Sequence, residues 1–143
     1  MPDVHDAATR WLAAFNAHDS DAMAAATAPN ALMEAPGDAH LEGRDAVVGY
    51  AMAWIKGFPD AHITLHQQLA DGEWVAQRFT FDGTHTDTLA GPAGEIPATG
   101  RTLHGRGVQM LRIEDDCAAE VQLYFDQVQV LTQLGLMPAT VTA

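Results

Sequence analysis

The sequence is poor in cysteine and in basic residues, and it has no long apolar run. Its 143 residues include one cysteine, Cys117, so the chain cannot form an internal disulfide. Seven basic residues stand against nineteen acidic ones, which gives a formal charge of −12. That charge repels a phosphate backbone and an anionic membrane surface, so nucleic acid and membrane are disfavoured as partners. No apolar stretch reaches the roughly 20 residues that span a bilayer.

The N-terminal sequence MPDVHDAATR lacks the charged and apolar regions of a signal peptide. Together with the single cysteine, this predicts a cytoplasmic protein. The composition is 48% hydrophobic and 18% charged, which is typical of globular proteins. We expect residues 1–143 to form a single domain whose core needs neither disulfides nor a structural metal.

Helical patterns dominate the first part of the chain. Apolar residues recur at helical spacing over 4–15 and predict an amphipathic helix of about four turns. An alanine-rich segment after Asp19 predicts a second helix through about Ala28, stopped by Pro29. A third helix is predicted after Gly43, with its end at Gly57.

The second part of the chain is predicted to be extended. Asp71-Gly72 between two β-prone segments is a strong hairpin signal. Helices followed by such a meander indicate an α+β domain with helices on one face of a curved antiparallel sheet. The predicted strands are 32–35, 62–69, 74–81, 102–114 and 117–126, with a long loop over 83–98 and a short helix or turn over 127–134.

The strand predicted over 117–126 alternates apolar and polar side chains, which therefore lie on opposite faces. Its polar face carries Gln122, Tyr124 and Asp126. If Asp115-Asp116 forms a two-residue turn, regular pairing sets these three opposite Gln109, Gly107 and Gly105, respectively. Glycine leaves space above a sheet, so we expect this polar face to form the wall of a pocket.

Several short motifs resemble, in their order and spacing, the SnoaL-like polyketide cyclase group of the nuclear-transport-factor-2-like superfamily. They are RWLAAFNAHDSDAM, LEGRDAVVGYAMAWIKGFPD, GTHTD, IPATGR and YFD followed by QLG, and they span nearly the whole chain. The resemblance implies a cone, in which a strongly bent antiparallel or mixed sheet wraps N-terminal helices around a pocket. Members of this superfamily include cyclases, isomerases, dehydratases, epoxide hydrolases and binding proteins, so the fold alone does not choose an activity.

The resemblance gives Asp126 a role. Characterised cyclases of this group use an aspartate just before the QLG turn as general acid/base in an intramolecular aldol reaction, without metal or organic cofactor. The implied substrate is a hydrophobic, oxygenated small molecule, and we expect Asp126 to lie inside the cone, poorly solvated. The alternatives are a strand-end aspartate that serves as a cap or as a rim residue, and a non-catalytic binding module on the same fold.

Gln109 and Tyr124 complete the predicted catalytic set. Gln109 stands where a partner histidine would be expected, and glutamine can orient a carbonyl but cannot exchange protons near neutral pH. Gln122 and Tyr124 either bind a substrate oxygen or form an ordinary polar strand face. His104 is out of phase by one residue, so it faces the pocket only if a bulge intervenes and is otherwise a surface histidine.

Arg78 and Glu34 are predicted as substrate-binding residues. The alternative for Arg78, if it faces inward, is a structural ion pair with a carboxylate such as Glu34 or Glu120. Trp11, Phe15, Tyr50 and Trp54 lie on helix faces turned toward the sheet, where they pack the core or stack on substrate.

The histidines do not predict a metal site. His62 and His66 on a strand are separated by about 13 Å, and His85 with Asp87 supplies two ligands at most. A homodimer is expected because Val75, Phe79 and Phe81 share one strand face, which would remain an apolar patch if helices covered the other face.

Overall fold

The structure is a computed structural model that describes residues 3–91 and 94–137. Its first three helices precede a long meander of strands, as predicted. Within the described ranges, no helix combines the length and apolar character needed to cross a bilayer. The elements are α1 (Val4–Asn16), α2 (Ser20–Ala25), β1 (Thr27–Ala35), β2 (Ala39–Glu42), α3 (Arg44–Gly57), β3 (His62–Asp71), β4 (Trp74–Thr84), β5 (Leu89–Gly91), β6 (Gly94–Ile96), β7 (Thr102–Glu114), β8 (Cys117–Phe125) and α4 (Gln127–Gln133).

Six strands form one curved sheet in the order β2-β1-β8-β7-β4-β3. The β1–β8 pair is parallel and the other neighbouring pairs are antiparallel, so the sheet is mixed. Strands β5 and β6 form a separate hairpin. The N-terminal helices pack against the sheet, since α1 contacts β3, β4, β7 and β8 and α3 contacts β1 and β2. The predicted α+β architecture, a bent sheet around N-terminal helices, is confirmed.

Helix α1 is fixed at both ends by side-chain hydrogen bonds. The Asp3 carboxylate caps it by accepting from the backbone N–H of His5 at 2.9 Å. At the other end the Asn16 amide donates to the Ile63 carbonyl at 2.9 Å and accepts from the Ile63 N–H at 2.8 Å. Trp11, 6% exposed, points from α1 into the core. The two Asn16 bonds tie the C-terminal end of the helix to β3.

The predicted boundary between the second helix and the following strand is wrong. Helix α2 ends at Ala25, and β1 begins at Thr27 and runs through Pro29. Pairing between β1 and β8 is irregular between Thr27 and Leu32. Pro29 lies in that irregular stretch, where its missing N–H removes no regular ladder hydrogen bond.

The predicted loop over 83–98 is more ordered than expected. It contains the short strands β5 and β6, and Leu89 of β5 is 5% exposed beside Phe58. Gly57 ends α3 against this hairpin, because a Cβ there would lie 2.9 Å from the Leu89 Cβ. The glycine therefore allows the close approach of α3 and β5.

The prediction of an apolar outer patch is wrong, because the two faces of β4 are reversed. Val75 is fully buried and Phe79 is 6% exposed, both on the face that the helices cover. Arg78 and its neighbours on the opposite face form the outer surface. Strand alternation predicted which side chains share a face but not which face the helices would cover.

Candidate functional site

A cavity of about 90 Å³ lies between the helices and the concave face of the sheet. Its wall is mainly apolar, and Tyr50, Arg106, Gln109 and Gln129 supply its polar groups. The lining residues are Trp11, Leu12, Phe15, Met23, Met33, Tyr50, Ala51, Trp54, Ile63, Phe79, Phe81, Leu103, Gly105, Arg106, Gln109, Leu123, Phe125, Gln129 and Val130.

The four aromatic residues predicted to face the sheet all line this cavity. They are Trp11 and Phe15 of α1 and Tyr50 and Trp54 of α3. Trp54 meets Phe81 and Phe125 edge-on, with ring centroids 5.6 Å apart in each pair. Such edge-to-face contacts hold the rings in place. The helix faces therefore supply a preformed apolar wall.

Tyr50 adds a neutral hydroxyl to that wall. Burial raises the pKa of its phenol above the ordinary value of 10, and the Trp54 side chain opposes this rise by hydrogen bonding. Desolvation disfavours the phenolate, which is the charged form. Tyr50 therefore remains protonated at neutral pH and can donate a hydrogen bond to a ligand.

Gln109 is the buried polar residue of β7 in the cavity wall, at 6% exposed, whereas Arg106 of the same strand is exposed. Its amide nitrogen donates to Oε1 of Gln77 at 2.8 Å. Gln77, fully buried, donates in turn to the backbone carbonyl of Ala8 at 3.0 Å and to Oε1 of Gln68 at 2.8 Å. Gln77 is not among the predicted site residues, although a lone polar residue between Val75 and Phe79 on one strand face was a signal for it.

Asp126 does not lie inside the cone, and that prediction is wrong. The side chain is exposed and forms the N-cap of α4, where Oδ1 accepts from the backbone N–H of Gln129 at 3.1 Å. Asp126 lines an open groove on the outer side of the sheet instead of the cavity. Of the alternatives predicted for Asp126, the cap is the one observed.

Tyr124 and Gln122 also lie on the outer face, contrary to the prediction that the polar face of β8 lines the pocket. Tyr124 is 58% exposed, and its hydroxyl is 3.5 Å from Oε1 of Gln122. Leu123 and Phe125 point inward in their place. An apolar strand face buried against helices is the energetically favoured arrangement.

A β-bulge explains why the predicted partners of Gln109 are wrong. The predicted turn is correct, since Glu114 pairs with Cys117, but Ala119 is an extra residue in β8. The register beyond it shifts by one, so Gln109 pairs with Leu123 rather than with Gln122. Gln109 thereby shares the inner face with apolar residues and is separated from Asp126.

The three other predicted binding residues lie outside the cavity. Arg78 is exposed, and its guanidinium contacts the Gln67 amide at 3.4 Å rather than a carboxylate. His104 is exposed and pairs with Asp82, so its alternative position on the surface is correct. Glu34 is exposed on β1. None of the three contributes to the cavity wall.

The outer groove adjoins the cavity. Phe79, Arg106, Phe125 and Gln129 contribute to the walls of both. The groove also carries Asp126, whose Oδ2 has no hydrogen-bond partner among residues 3–91 and 94–137. A ligand that extended from the cavity into the groove would pass this carboxylate.

His85 is a buried histidine outside the cavity. Its ring stacks on Phe58 with centroids 5.1 Å apart, and Nδ1 lies 3.0 Å from the Thr99 hydroxyl. Burial lowers the pKa of His85, and the Ile96 backbone opposes this shift. No group of three or more His, Cys, Asp or Glu side chains suited to a metal ion occurs in the described part of the chain.

The open space predicted above Gly107 is filled. A Cβ at this position would lie 2.7 Å from Cζ of Phe79, so the phenyl ring covers the glycine. Gly105 does line the cavity, and a Cβ there would meet its nearest neighbours at 3.9 Å. The two glycines of β7 therefore have different packing roles.

Comparisons with known proteins agree on the family and the fold. The family model of the SnoaL-like polyketide cyclases matches residues 5–134. The chain is 30% identical over 109 residues to aklanonic acid methyl ester cyclase DnrD of Streptomyces peucetius. The aligned region covers 75% of this chain and 70% of DnrD.

Solved structures resemble the whole described fold. IdmH of Streptomyces antibioticus superposes with a TM-score of 0.74 at 29% identity, covering 93% of this chain and 99% of IdmH. A protein assigned as a SnoaL-like polyketide cyclase from Jannaschia sp. CCS1 superposes with a TM-score of 0.82 at 15% identity, covering 94% and 93%. With the family match over most of its length, the chain belongs to the SnoaL-like polyketide cyclase family.

Proposed function

We propose that this protein binds a hydrophobic, oxygenated, polyketide-like molecule in the inner cavity and catalyses a cofactor-independent ring closure. The observation that carries the proposal is the preformed apolar cavity with a few polar groups, in a chain of the cyclase family. Apolar walls with a small number of placed polar groups are typical of small-molecule sites. The relative DnrD acts on aklanonic acid methyl ester, which makes that compound a suitable first substrate.

In this proposal the substrate extends from the cavity into the outer groove. The cavity of about 90 Å³ takes only part of a polycyclic molecule, and the shared wall at Phe125 and Gln129 connects it to the groove. Asp126 then faces the portion of the substrate that leaves the cavity. The apolar part of the substrate gains affinity from burial, and the reacting part lies at the rim.

Asp126 is proposed as the acid/base of an intramolecular aldol reaction. Oδ1 is held by the Gln129 N–H, whereas Oδ2 is available to a substrate. The carboxylate removes a proton from the carbon next to a carbonyl, and the resulting enolate attacks a second carbonyl carbon of the same molecule. The new alkoxide takes the proton back from the carboxyl group, so the enzyme returns to its starting state.

The test is Asp126→Asn assayed for turnover of aklanonic acid methyl ester. Asparagine caps helices about as well as aspartate, so the fold and substrate affinity should be preserved. We expect turnover to fall about 10² to 10⁴-fold, the usual contribution of one acid/base group. Asp19→Asn, at the exposed N-cap of α2, is the matched control and should keep full turnover. Undiminished turnover by Asp126→Asn would rule out this role.

A non-catalytic binding module is the second candidate. The observation that favours it is that the cavity wall contains no carboxylate and no histidine among the described residues. In this case the same ester would bind unchanged, and neither the wild type nor Asp126→Asn would convert it. Product analysis alongside a binding measurement separates the two candidates.

We further propose that the protein forms a homodimer through the outer face of the sheet. Leu69 is 61% exposed and Tyr124 is 58% exposed there, and Met110 lies between them on β7. Exposed apolar side chains on one face are commonly buried by a partner. Light scattering at micromolar concentration should give the mass of a dimer, and a monomer would count against this interface.

A further inference from the structure

Three glutamine side chains form a continuous chain of hydrogen bonds from the cavity to the surface. Gln109 donates to Gln77 at 2.8 Å, and Gln77 donates to Gln68 at 2.8 Å. The Gln68 amide reaches α1, where it lies 3.0 Å from Nδ1 of His5 and 3.3 Å from the His5 carbonyl. The oxygen and nitrogen of a glutamine amide can exchange places by rotation of the side chain. Which glutamine donates and which accepts therefore follows from neighbouring groups whose roles are fixed.

Backbone carbonyls at two points fix that direction, because a carbonyl oxygen can only accept. The Gln77 amide nitrogen faces the Ala8 carbonyl at 3.0 Å, and the Gln68 nitrogen faces the His5 carbonyl. Both hydrogens of the Gln77 amide are then used, one by Ala8 and one by Gln68. Its Oε1 is the atom that remains for Gln109, so Gln109 must donate through nitrogen.

The consequence appears at the cavity. Because the Gln109 nitrogen is directed to Gln77, the Gln109 Oε1 is left without a hydrogen-bond partner among residues 3–91 and 94–137. Gln109 lines a mainly apolar cavity and is 6% exposed. A ligand that fills the cavity without supplying a donor keeps water from this oxygen and leaves it unpaired, which is unfavourable, whereas a ligand hydroxyl group avoids that cost.

We infer that Gln77 positions Gln109 as a hydrogen-bond acceptor, so that the cavity selects hydrophobic ligands that carry a hydroxyl group at this point. This inference rests on the proposed small-molecule function and specifies its ligand class. A ketone lacks the donor that Oε1 needs, whereas an enol, a phenol and the alcohol produced by an aldol reaction have it. The cavity is therefore matched to a ligand whose buried, non-reacting part carries a hydroxyl group at this point rather than a ketone.

The test uses three monocyclic aromatic probes with the 143-residue chain. Phenol donates and accepts, acetophenone only accepts, and toluene does neither. Dissociation constants are measured by NMR titration for the wild type, Gln109→Leu, Gln77→Leu and Gln67→Leu, with thermal melts to verify folding. For each protein, the ratio of the dissociation constants of two probes is calculated, and these ratios are compared between variants. Ratios are used because the probes differ in their hydration before they bind. Gln67 is exposed on the outer face and serves as the matched glutamine-to-leucine control.

Gln109→Leu should lower the ratio of phenol to toluene affinity about tenfold, the worth of one neutral hydrogen bond. Gln77→Leu leaves Gln109 free to turn its nitrogen toward the ligand, so acetophenone should gain affinity relative to phenol. Gln67→Leu should change neither ratio. If Gln109→Leu does not fold, the ratio of acetophenone to phenol affinity in Gln77→Leu is the measurement that tests the inference.

One outcome would overturn the inference: toluene binds, and both affinity ratios stay within twofold of the wild-type values in every folded variant. The proposal of an apolar small-molecule pocket would still stand. An acetophenone ratio unchanged by Gln77→Leu would overturn the positioning role of Gln77. Failure of all three probes to bind the wild type at millimolar concentration would count against both the inference and the proposed small-molecule function.

Discussion

The packing of Phe79 over Gly107 predicts that two glycines on the same strand will respond oppositely to the same substitution. In Gly107→Ala the new Cβ would lie 2.7 Å from Cζ of Phe79 and 2.9 Å from the Tyr124 carbonyl oxygen. Both distances are below ordinary contact, and the second involves backbone that cannot easily move. Overpacking of this kind costs about 1 to 3 kcal/mol.

Gly105→Ala is the matched control, since it lies two residues away on β7. Its new Cβ would meet the Gln129 Oε1 and the Leu103 Cδ1 at 3.9 Å, which is ordinary contact. Alanine also restricts the unfolded chain, so we expect a gain of about 0.5 kcal/mol. Urea unfolding followed by tryptophan fluorescence gives both free energies of unfolding.

Gly107→Ala should also lower the melting temperature by about 3 to 10 °C for a domain of this size. A double variant with Phe79→Leu removes the ring contact, so its total destabilisation should be smaller than the sum of the two single effects by about 1 kcal/mol. Equal free energies for Gly107→Ala and Gly105→Ala would refute the reasoning, and so would strict additivity in the double variant.

Two further predictions concern pH and assembly. The pKa of His85 is lower in the folded state than in the unfolded chain, so the unfolded chain takes up the proton first as the pH falls. The contribution of His85 to stability is therefore complete above about pH 6.5 and is lost as the pH falls through the folded-state pKa. The melting temperature should therefore drop less between pH 7 and about pH 5 in His85→Gln than in the exposed-site control His62→Gln, and equal slopes would contradict this. Leu69→Lys places a charge on the outer face and should shift the proposed dimer toward monomer in light scattering, whereas an unchanged mass would exclude Leu69 from the interface.

Local patterns predicted most of the elements correctly. The 4–15 periodicity became α1, Gly57 ends α3, and the hairpin around Gly72 formed with Asp71 opposite Trp74. These elements depend on residues close together in sequence, so caps, glycines and apolar spacing are sufficient to identify them. The resemblance of the short motifs predicted the family, which the family match confirms.

The candidate site was predicted only in part, and the error has a defined origin. Trp11, Phe15, Tyr50, Trp54 and Gln109 do line the cavity. Their inward direction follows from amphipathic helices in four cases, while Gln109 was grouped with the wrong neighbours. The sequence gives no local signal for an extra residue at position 119, so the register beyond the bulge was not predictable from alternation alone.

The sequence by itself determined where most of the helices and the long strands lie, which side chains share a strand face, and that Asp126 stands at the end of the last strand. Those properties follow from backbone geometry over a few residues. Only the tertiary structure decided that the apolar face of β8 turns inward, that Asp126 caps α4 at the groove, and that Gln77 orients Gln109. These three features depend on contacts between segments far apart in the chain. Local geometry does not distinguish the two faces of a strand, so the face that turns inward is the one that buries more apolar surface and leaves fewer buried polar groups unpaired.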